Sequence, residues 1–494
     1  MMRDEWFDIN WLSERLVQLQ AWRKALLIGV LLGLIGGVIG LAVTLVNPLY
    51  VLVGVLGLLV GLYILTDLQV ALFAVLAVVL LFPFGTLPIK IAITPTVLDL
   101  TLGAFLLVYL FQWMTGRRRL LRTTPIHGLV LLFAVFLMFS FVLGLGHSPL
   151  RTDVMRQFAE LLMSIAAALV LVDALRDEAT LRRVVLVVVL VAGLTAVIGI
   201  GLYVLPDATA EAVLVRLGRF GYPDGGVIRY VEENPALAER AIGMWVDPNA
   251  FGGVLAVLGA LVAPQVFAAR PLGGTEWWRR GLVIGVFGAV GLSLYLTYSR
   301  GALMALAAAL VFIAVLRYRR LLWLMILGGV GFLILPVTQA YVARFLSGFQ
   351  GEGADLATQM RFGEITDSLR LIGRYPVFGV GFSGTPERDI YLGVANLYLT
   401  MASNIGLVGL AIFLILIAAL LLYGLRAWRR PSRSDSLEAI WLGTHAGIVA
   451  ALGAGVFDHY FFKLEFQASV TLFWLVIGLA LTTSTLWLHA PPES

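Results

Sequence analysis

Two arginines beside long apolar runs are the residues of this sequence whose type and setting indicate chemistry. Arg300 lies between the apolar runs 281–297 and 302–316, each of which could cross a bilayer, and Arg240 lies shortly before the run that begins at Pro248. If the chain folds back so that both arginines meet in one cavity, they repel unless an anion separates them. Because guanidinium groups bind phosphate bidentately, the pair predicts a diphosphate site. For an isolated arginine, snorkelling at a helix end is an equally good interpretation.

Four residues with acidic or imidazole side chains are candidates for a general base. Asp458 and His459 lie together in a turn between two apolar runs, and Glu387 and Asp389 lie in a long polar connection. General base catalysis is typically worth about 10²–10⁴-fold. The Asp458-His459 turn is the favoured candidate, although a wet turn between helices explains the two residues equally well.

Three further stretches have residue types typical of helix ends near a cavity. Asp247, Pro248 and Asn249 predict a helix start with Asp247 as N-cap and Pro248 at the first helical position. A helix is expected to end before Pro376, where the following glycines permit a tight turn or a close approach to a ligand. Capping and turn formation are the plainer interpretation. The functional interpretation places six residues at the cavity, namely Asn249, Arg361, Gly379, Gly381, Asn396 and Tyr398.

Other polar residues within the apolar runs have simpler explanations. Arg156 and Glu160 are four residues apart, which favours a structural ion pair over a proton relay. His445 is most simply a hydrogen-bonded histidine in the core. No phosphate-binding Walker sequence, nucleophile elbow or dinucleotide fingerprint is present.

The composition identifies an integral membrane protein. Of the 494 residues, 60% are hydrophobic and 13% are charged, whereas soluble proteins have about 25% charged residues. The chain has no cysteine and five histidines, so disulfides and thiolate metal sites are excluded and neither a metal site nor a cofactor is expected. The net charge of +5 comes from short basic clusters between apolar runs. Membrane topology explains these clusters better than nucleic-acid binding does.

Apolar runs of about 20 residues recur along the chain and predict an all-α membrane protein with about 12–14 transmembrane helices and a partly helical extracytoplasmic loop region. An amphipathic helix is expected over 354–374, within the larger of two long loops. The predicted order is an interfacial amphipathic segment 1–24, helices in 25–205, a loop 206–247, helices in 248–337, a loop 338–396 and helices in 397–494.

Basic residues predict the orientation in the membrane. Short connections rich in arginine alternate with connections that carry little positive charge, and the basic ones are expected in the cytoplasm. Both termini are then cytoplasmic, and Arg240, Arg300 and Asp458 face the other side. The candidate site is then expected on the extracytoplasmic side of the membrane.

Taken in order, five motifs over roughly residues 230–475 resemble the O-antigen ligase and O-antigen polymerase superfamily. The motifs are Arg240-x-x-Gly243, Asp247-Pro248-Asn249, Tyr298-Ser299-Arg300-Gly301, Pro376-x-x-Gly379-x-Gly381 and Asn396-Leu397-Tyr398-Leu399. The resemblance implies a GT-C-like, metal-independent glycosyltransferase that takes glycan from an undecaprenyl-diphosphate-linked donor. It also implies that Arg240 and Arg300 bind the diphosphate. The location that it implies is the bacterial inner membrane, with the site facing the periplasm or the outside.

Ligases and polymerases of this superfamily differ in their acceptor. The resemblance implies transfer to lipid A core by a ligase, or to another carrier-linked glycan by a polymerase. Family ligases have a histidine directly before the asparagine of the last motif, where this chain has Ala395. The departure slightly favours a polymerase.

Two other classes of function remain open from the sequence. A transporter or flippase would line an anion path with Arg156, Glu160, Arg240 and Arg300, and it should show mid-membrane charges and broken helices in paired halves. A non-catalytic scaffold would bind the donor without turnover.

Overall fold

A computed structural model gives the structure of the chain. It describes residues 48–87, 94–335, 356–384, 394–430 and 434–489, with isolated positions between 26 and 44 and between 338 and 343. The predicted interfacial segment 1–24 lies outside the described residues. The chain divides into two compact units, residues 1–66 and 67–494. The described part of the first unit contains helix α1, Pro48–Ile64.

The described part of the second unit is almost entirely helical. Its strands are the two-residue pair β1 (Arg229–Tyr230) and β2 (Glu239–Arg240), which run antiparallel. Its α-helices are α2 (Leu68–Leu81), α3 (Val97–Met114), α4 (His127–Gly144), α5 (Thr152–Ala174), α6 (Glu178–Val204), α7 (Asp207–Val215), α8 (Pro248–Phe267), α9 (Trp277–Leu296), α10 (Arg300–Leu316), α11 (Arg320–Ile334), α12 (Leu356–Arg374), α13 (Leu397–Trp428), α14 (Asp435–Gly455) and α15 (Gln467–His489).

The number of apolar helices agrees with the prediction from the sequence. Within the described residues, nine helices are at least 18 residues long and apolar enough to cross a membrane, and four shorter apolar helices bring the total to thirteen. The prediction of an all-α, multi-pass membrane protein is therefore confirmed. In α8, α14 and α15 the most apolar windows are 83%, 83% and 94% buried by protein, so these three helices form the core of the second unit.

Side-chain caps fix where several of these helices begin. The Asp247 carboxylate accepts hydrogen bonds from the amides of Asn249 (2.7 Å) and Ala250 (2.8 Å), which confirms it as the N-cap of α8. Such a cap satisfies amides that have no partner within the helix. The other capping residues are Asp67 (α2), Thr96 (α3), Asp177 (α6), Asn396 (α13) and Ser434 (α14).

The structure confirms the ion pair predicted for Arg156 and Glu160 and the hydrogen-bonded core position predicted for His445. Arg156 Nη1 lies 3.2 Å from Glu160 Oε2, and it also lies 2.9 Å from Asp99 Oδ2. His445 is buried, its Nδ1 lies 2.9 Å from the carbonyl oxygen of Trp441, and its ring stacks on that indole.

Helix α13 is interrupted at Gly406, within an apolar run whose sequence shows no sign of a break. Gly406 has φ 71° and ψ 176°, so the helical hydrogen-bonding pattern cannot run through it. A side chain is excluded there as well, because a Cβ atom would lie 2.1 Å from the carbonyl oxygen of Val377.

The segment 376–384 fills the interruption and satisfies its backbone. The amide of Leu407 donates to the carbonyl of Pro376 (2.7 Å), and two amides of the segment donate to the carbonyls of Ser403 (2.9 Å) and Asn404 (2.8 Å). Non-helical backbone at membrane depth is tolerated where protein buries it in this way. The break is thus a packed joint between α12 and α13.

We expect Gly406→Ala to lower the thermal midpoint markedly, because a non-glycine residue with this φ and ψ costs about 1–3 kcal/mol and the overlap with Val377 adds to this. Gly329→Ala in α11 is the matched control, since nothing lies within 4 Å of a Cβ atom there. Thermal unfolding of both variants in detergent checks the prediction. Equal midpoints would show that the break is not required for stability.

Candidate functional site

One open pocket is lined by several of the residues whose side chains could take part in chemistry. Its volume is about 520 Å³, including solvent at its mouth. The pocket lies where α8 and α10 begin and where α9 and α14 end. Its lining residues are Arg240, Asn249, Tyr298, Ser299, Arg300, Gly301, Ala302, Phe457, Asp458 and Tyr460.

Arg240 is held in the pocket from two sides. It is the last residue of β2, and the amide of the next residue, Ala241, donates to the carbonyl of Leu296 at the end of α9 (2.8 Å). Its Nε donates to the carbonyl of Thr297 (2.8 Å), and its Nη2 donates to Asn249 Oδ1 (2.6 Å). Because the side chain is only 9% exposed, its guanidinium is oriented before any ligand arrives.

Arg300 reaches the same pocket as the first residue of α10. The preceding residue, Ser299, makes no side-chain cap to the described part of the chain, whereas Asp247 caps the adjacent start of α8. The N-terminus of a helix carries unsatisfied amides and a partial positive charge, which favour a bound anion. The pocket therefore combines two guanidinium groups with the start of an uncapped helix.

Small residues in the first turns of α8 allow its neighbours to come close. A Cβ atom on Gly252 would lie 3.0 Å from Ser299 Cβ, and one on Gly253 would lie 2.0 Å from Tyr460 Oη. Tyr460 is buried, and burial together with Asp458 and Asp247 raises its pKa well above the ordinary value. It is therefore a neutral side chain in the pocket wall.

Asp458 and His459, adjacent in sequence, have different positions. Asp458 lines the pocket, whereas His459 is not among its lining residues and packs against Phe466. The His459 amide donates to Asp458 Oδ1 (2.8 Å), and Nδ1 lies 3.2 Å from the same oxygen without hydrogen-bond geometry. Burial, with a smaller contribution from Lys463, lowers the pKa of His459 to about 4. His459 is therefore neutral at pH 7, and it does not reach the pocket.

Asn396 and Tyr398 hold the helix that leads to Asp458. Asn396 Oδ1 caps α13, and its Nδ2 donates to the carbonyl of Val456 (2.8 Å). The Tyr398 hydroxyl donates to the carbonyl of Leu452 (2.9 Å). Neither side chain lines the pocket, so their contacts fix the end of α14.

The remaining sequence candidates lie elsewhere or outside the described side chains. Gly379 and Gly381 pack against α13 and α4 in the joint described above, where Cβ atoms would lie 2.4 Å from the carbonyl carbon of Asn404 and 2.5 Å from Gly144 Cα. Arg361 lies in α12, but its side chain is outside the described part. Glu387 and Asp389 lie wholly outside it.

Of the ten lining residues, sequence reasoning singled out four as candidates and missed six, and it also missed a carboxylate that contacts Ala395. Tyr298, Phe457 and Tyr460 all line the pocket, and their adjacency to Arg300 or Asp458 was the available signal. Glu364 accepts a hydrogen bond from the amide of Ala395 (3.1 Å), so a carboxylate of α12 reaches the position where family ligases have histidine.

The carboxyl group of Glu239, the residue before Arg240, is expected to make the stability of the folded chain depend on pH. Burial, and secondarily Asp207, raises its pKa to about 7 from an ordinary 4.5. Between these values the unfolded chain loses this proton and the folded chain keeps it, so stability falls as pH rises from 4.5 to 7. We expect Glu239→Gln to remove this contribution from the thermal midpoint measured across that range. His459 contributes the opposite slope between pH 4 and 6.5 in both proteins, and identical profiles would refute the assignment to Glu239.

Comparison with known proteins identifies part of the chain. Residues 284–414 match the family model described as O-antigen ligase. This part of the chain is similar to the O-antigen ligase family. The match confirms the superfamily inferred from the motifs, and no curated protein matches the chain. The matched residues include Arg300 and Asn396, whereas Arg240 and Asp458 lie on either side of them.

Proposed function

We propose that this membrane protein transfers glycan from an undecaprenyl-diphosphate-linked donor to an acceptor hydroxyl, with polymerisation slightly favoured over ligation. The observation that supports it best is the meeting of Arg240, Arg300 and the uncapped start of α10 in one pocket. The similarity to the O-antigen ligase family supports a glycosyltransferase at a general level. The pocket adds groups suited to a leaving diphosphate.

The proposed reaction requires charge stabilisation more than bond-making by the protein. The acceptor oxygen bonds to the anomeric carbon as the bond from that carbon to the diphosphate oxygen breaks, and undecaprenyl diphosphate leaves with an additional negative charge. Arg240 and Arg300 stabilise this charge with their guanidinium groups, and that of Arg240 is already oriented by its hydrogen bonds. The acceptor proton goes to Asp458, the carboxylate that lines the same pocket.

The preference for a polymerase rests on one position. Ala395 cannot act as the histidine of family ligases, and its amide is bonded to Glu364 instead. With His459 neutral and outside the lining, Asp458 is the base we propose. A polymerase and a ligase would use this arrangement alike, so the acceptor decides between them.

Arginines at the other end of the second unit support an extracytoplasmic site. Arg317, which follows α10, pairs with Glu438 near the start of α14, so both lie at the end opposite to Arg300 and Asp458. Arg122 likewise donates to the carbonyls of Arg176 (3.4 Å) and Thr485 (3.4 Å). Positive residues concentrate on the cytoplasmic side, so we place the pocket on the periplasmic or outer side of the inner membrane.

The transporter alternative has one structural feature in its favour. Transporters bind substrate at broken helices, and α13 is broken at Gly406. The chain itself fills that break through backbone hydrogen bonds, and the charged residues of the pocket lie at helix ends. The geometry therefore favours surface chemistry over a path through the membrane.

The test is transfer by the purified protein in lipid nanodiscs with undecaprenyl-diphosphate-linked glycan repeat units from its host and no second acceptor. We expect a ladder of lengthening lipid-linked glycans, and Asp458→Asn should slow its formation. Unchanged donor in this assay, followed by transfer once lipid A core is added, would establish a ligase. No transfer with either acceptor would refute catalysis, and donor movement across the bilayer would then establish a flippase.

A further inference from the structure

Tyr298 has a backbone conformation that its side chain disfavours. Its φ is 52°, in the left-handed region, immediately after the last turn of α9. Glycine is the usual residue at such a helix end, and a bulky residue there is an outlier. Backbone strain of this kind persists mainly at functional sites. A tyrosine at this position therefore indicates that its aromatic ring has a function.

The ring connects the pocket to a row of aromatic side chains. Tyr298 lines the pocket, and its ring centroid lies 6.1 Å from that of Tyr295. The Tyr295 ring in turn lies 6.4 Å from that of Phe332 on α11, at an interplanar angle of 86°. These three residues, here called the aromatic row, lead from the two arginines to the face between α9 and α11.

The pocket lining contains polar side chains beside the arginines as well as aromatic ones. Asn249 and Asp458 are among the polar members, and Tyr298 is the member that leads into the aromatic row. The helix that carries Phe332, α11, is apolar and exposes most of its large side chains, so it would face lipid in a membrane. A diphosphate held by the arginines would thus have hydrogen-bonding groups in the pocket and an aromatic row that leads toward lipid.

We propose that the aromatic row binds the isoprenoid chain of a lipid diphosphate, with the first isoprene unit against Tyr298 and the sugar directed toward Asp458. This proposal rests on the proposed function. Unsaturated isoprene units pack against aromatic faces. The hydroxyl groups of a sugar require hydrogen-bonding partners such as Asn249 and Asp458. Tyr298 is then a specificity residue for the lipid part of the donor.

The experiment measures binding of farnesyl diphosphate and of inorganic pyrophosphate to the full chain at one fixed detergent concentration. Wild type should prefer farnesyl diphosphate by at least about tenfold, the ratio that corresponds to 1.4 kcal/mol. Tyr298→Gly should lose that preference while it keeps its pyrophosphate affinity and a thermal midpoint no lower than wild type. Tyr298→Phe should retain the preference. Trp323→Ala is the matched control, because Trp323 is 69% exposed near the other end of α11.

Each contrary result has a distinct meaning. If wild type binds neither compound, the proposed function and this inference both fail. If wild type and Tyr298→Gly share the same preference, the aromatic row does not bind the isoprenoid and the arginine pocket stands. If Tyr298→Gly unfolds at a lower temperature while Tyr298→Phe does not, the ring is structural and the inference is wrong.

Discussion

Replacing Arg300 with alanine is expected to slow glycan transfer by about 10²–10³-fold, the loss typical of removing one preorganised donor from a developing anion. Arg300 begins α10 inside the pocket that also contains Arg240. Its guanidinium acts most strongly on the diphosphate as that group leaves, so the maximal rate should fall more than donor affinity does. Single-turnover and steady-state kinetics in nanodiscs separate these two effects.

Two variants make the Arg300 prediction specific. Arg300→Lys should retain an intermediate rate, because lysine keeps the charge but lacks the planar fork that binds two phosphate oxygens at once. Arg319→Ala should leave transfer unchanged, since that exposed arginine lies beyond the opposite end of α10. Normal transfer by folded Arg300→Ala would exclude a role in leaving-group stabilisation.

The sequence predicted the parts of the site that follow from local chemistry. Asp247 was identifiable as a cap because proline and asparagine follow it, and the structure shows its two hydrogen bonds. Arg240 and Arg300 stood out because each charge had to be explained within an apolar chain, and they line one pocket. The helix count followed from the length needed to cross a bilayer.

What the sequence could not predict depends on which segments meet. Gly406 lies in an apolar run that is indistinguishable from an ordinary helix, and only the approach of segment 376–384 reveals the break. Asn396 was placed at the cavity because a helix start there could face it, whereas its amide instead holds the end of α14. Tyr298 gave no local signal of a left-handed backbone, because glycine is the residue that usually marks one.

The largest stability effect is expected from Arg156, which is the shared partner of two carboxylates. Its Nη1 contacts Asp99 Oδ2 (2.9 Å), Glu160 Oε2 (3.2 Å) and Gln467 Oε1 (3.2 Å), and thereby joins the starts of α3, α5 and α15. Glu160 is 1% exposed. Arg156→Met would leave both carboxylates in a poorly solvated site, and removing one partner of a buried ion pair typically costs about 3–5 kcal/mol.

Two comparisons separate this effect from loss of a charge in general. Arg151 also bonds a carboxylate at the start of α5, Asp153, but their side chains are 68% and 47% exposed. Arg151→Met should therefore leave the thermal midpoint close to wild type, since exposed ion pairs contribute little. Adding Glu160→Gln to Arg156→Met should recover part of the loss, because one uncompensated charge is removed. Equal midpoints for Arg156→Met and Arg151→Met would show that the buried network does not stabilise the fold, and the conserved volume of the methionine side chain would then suffice to join the three helices.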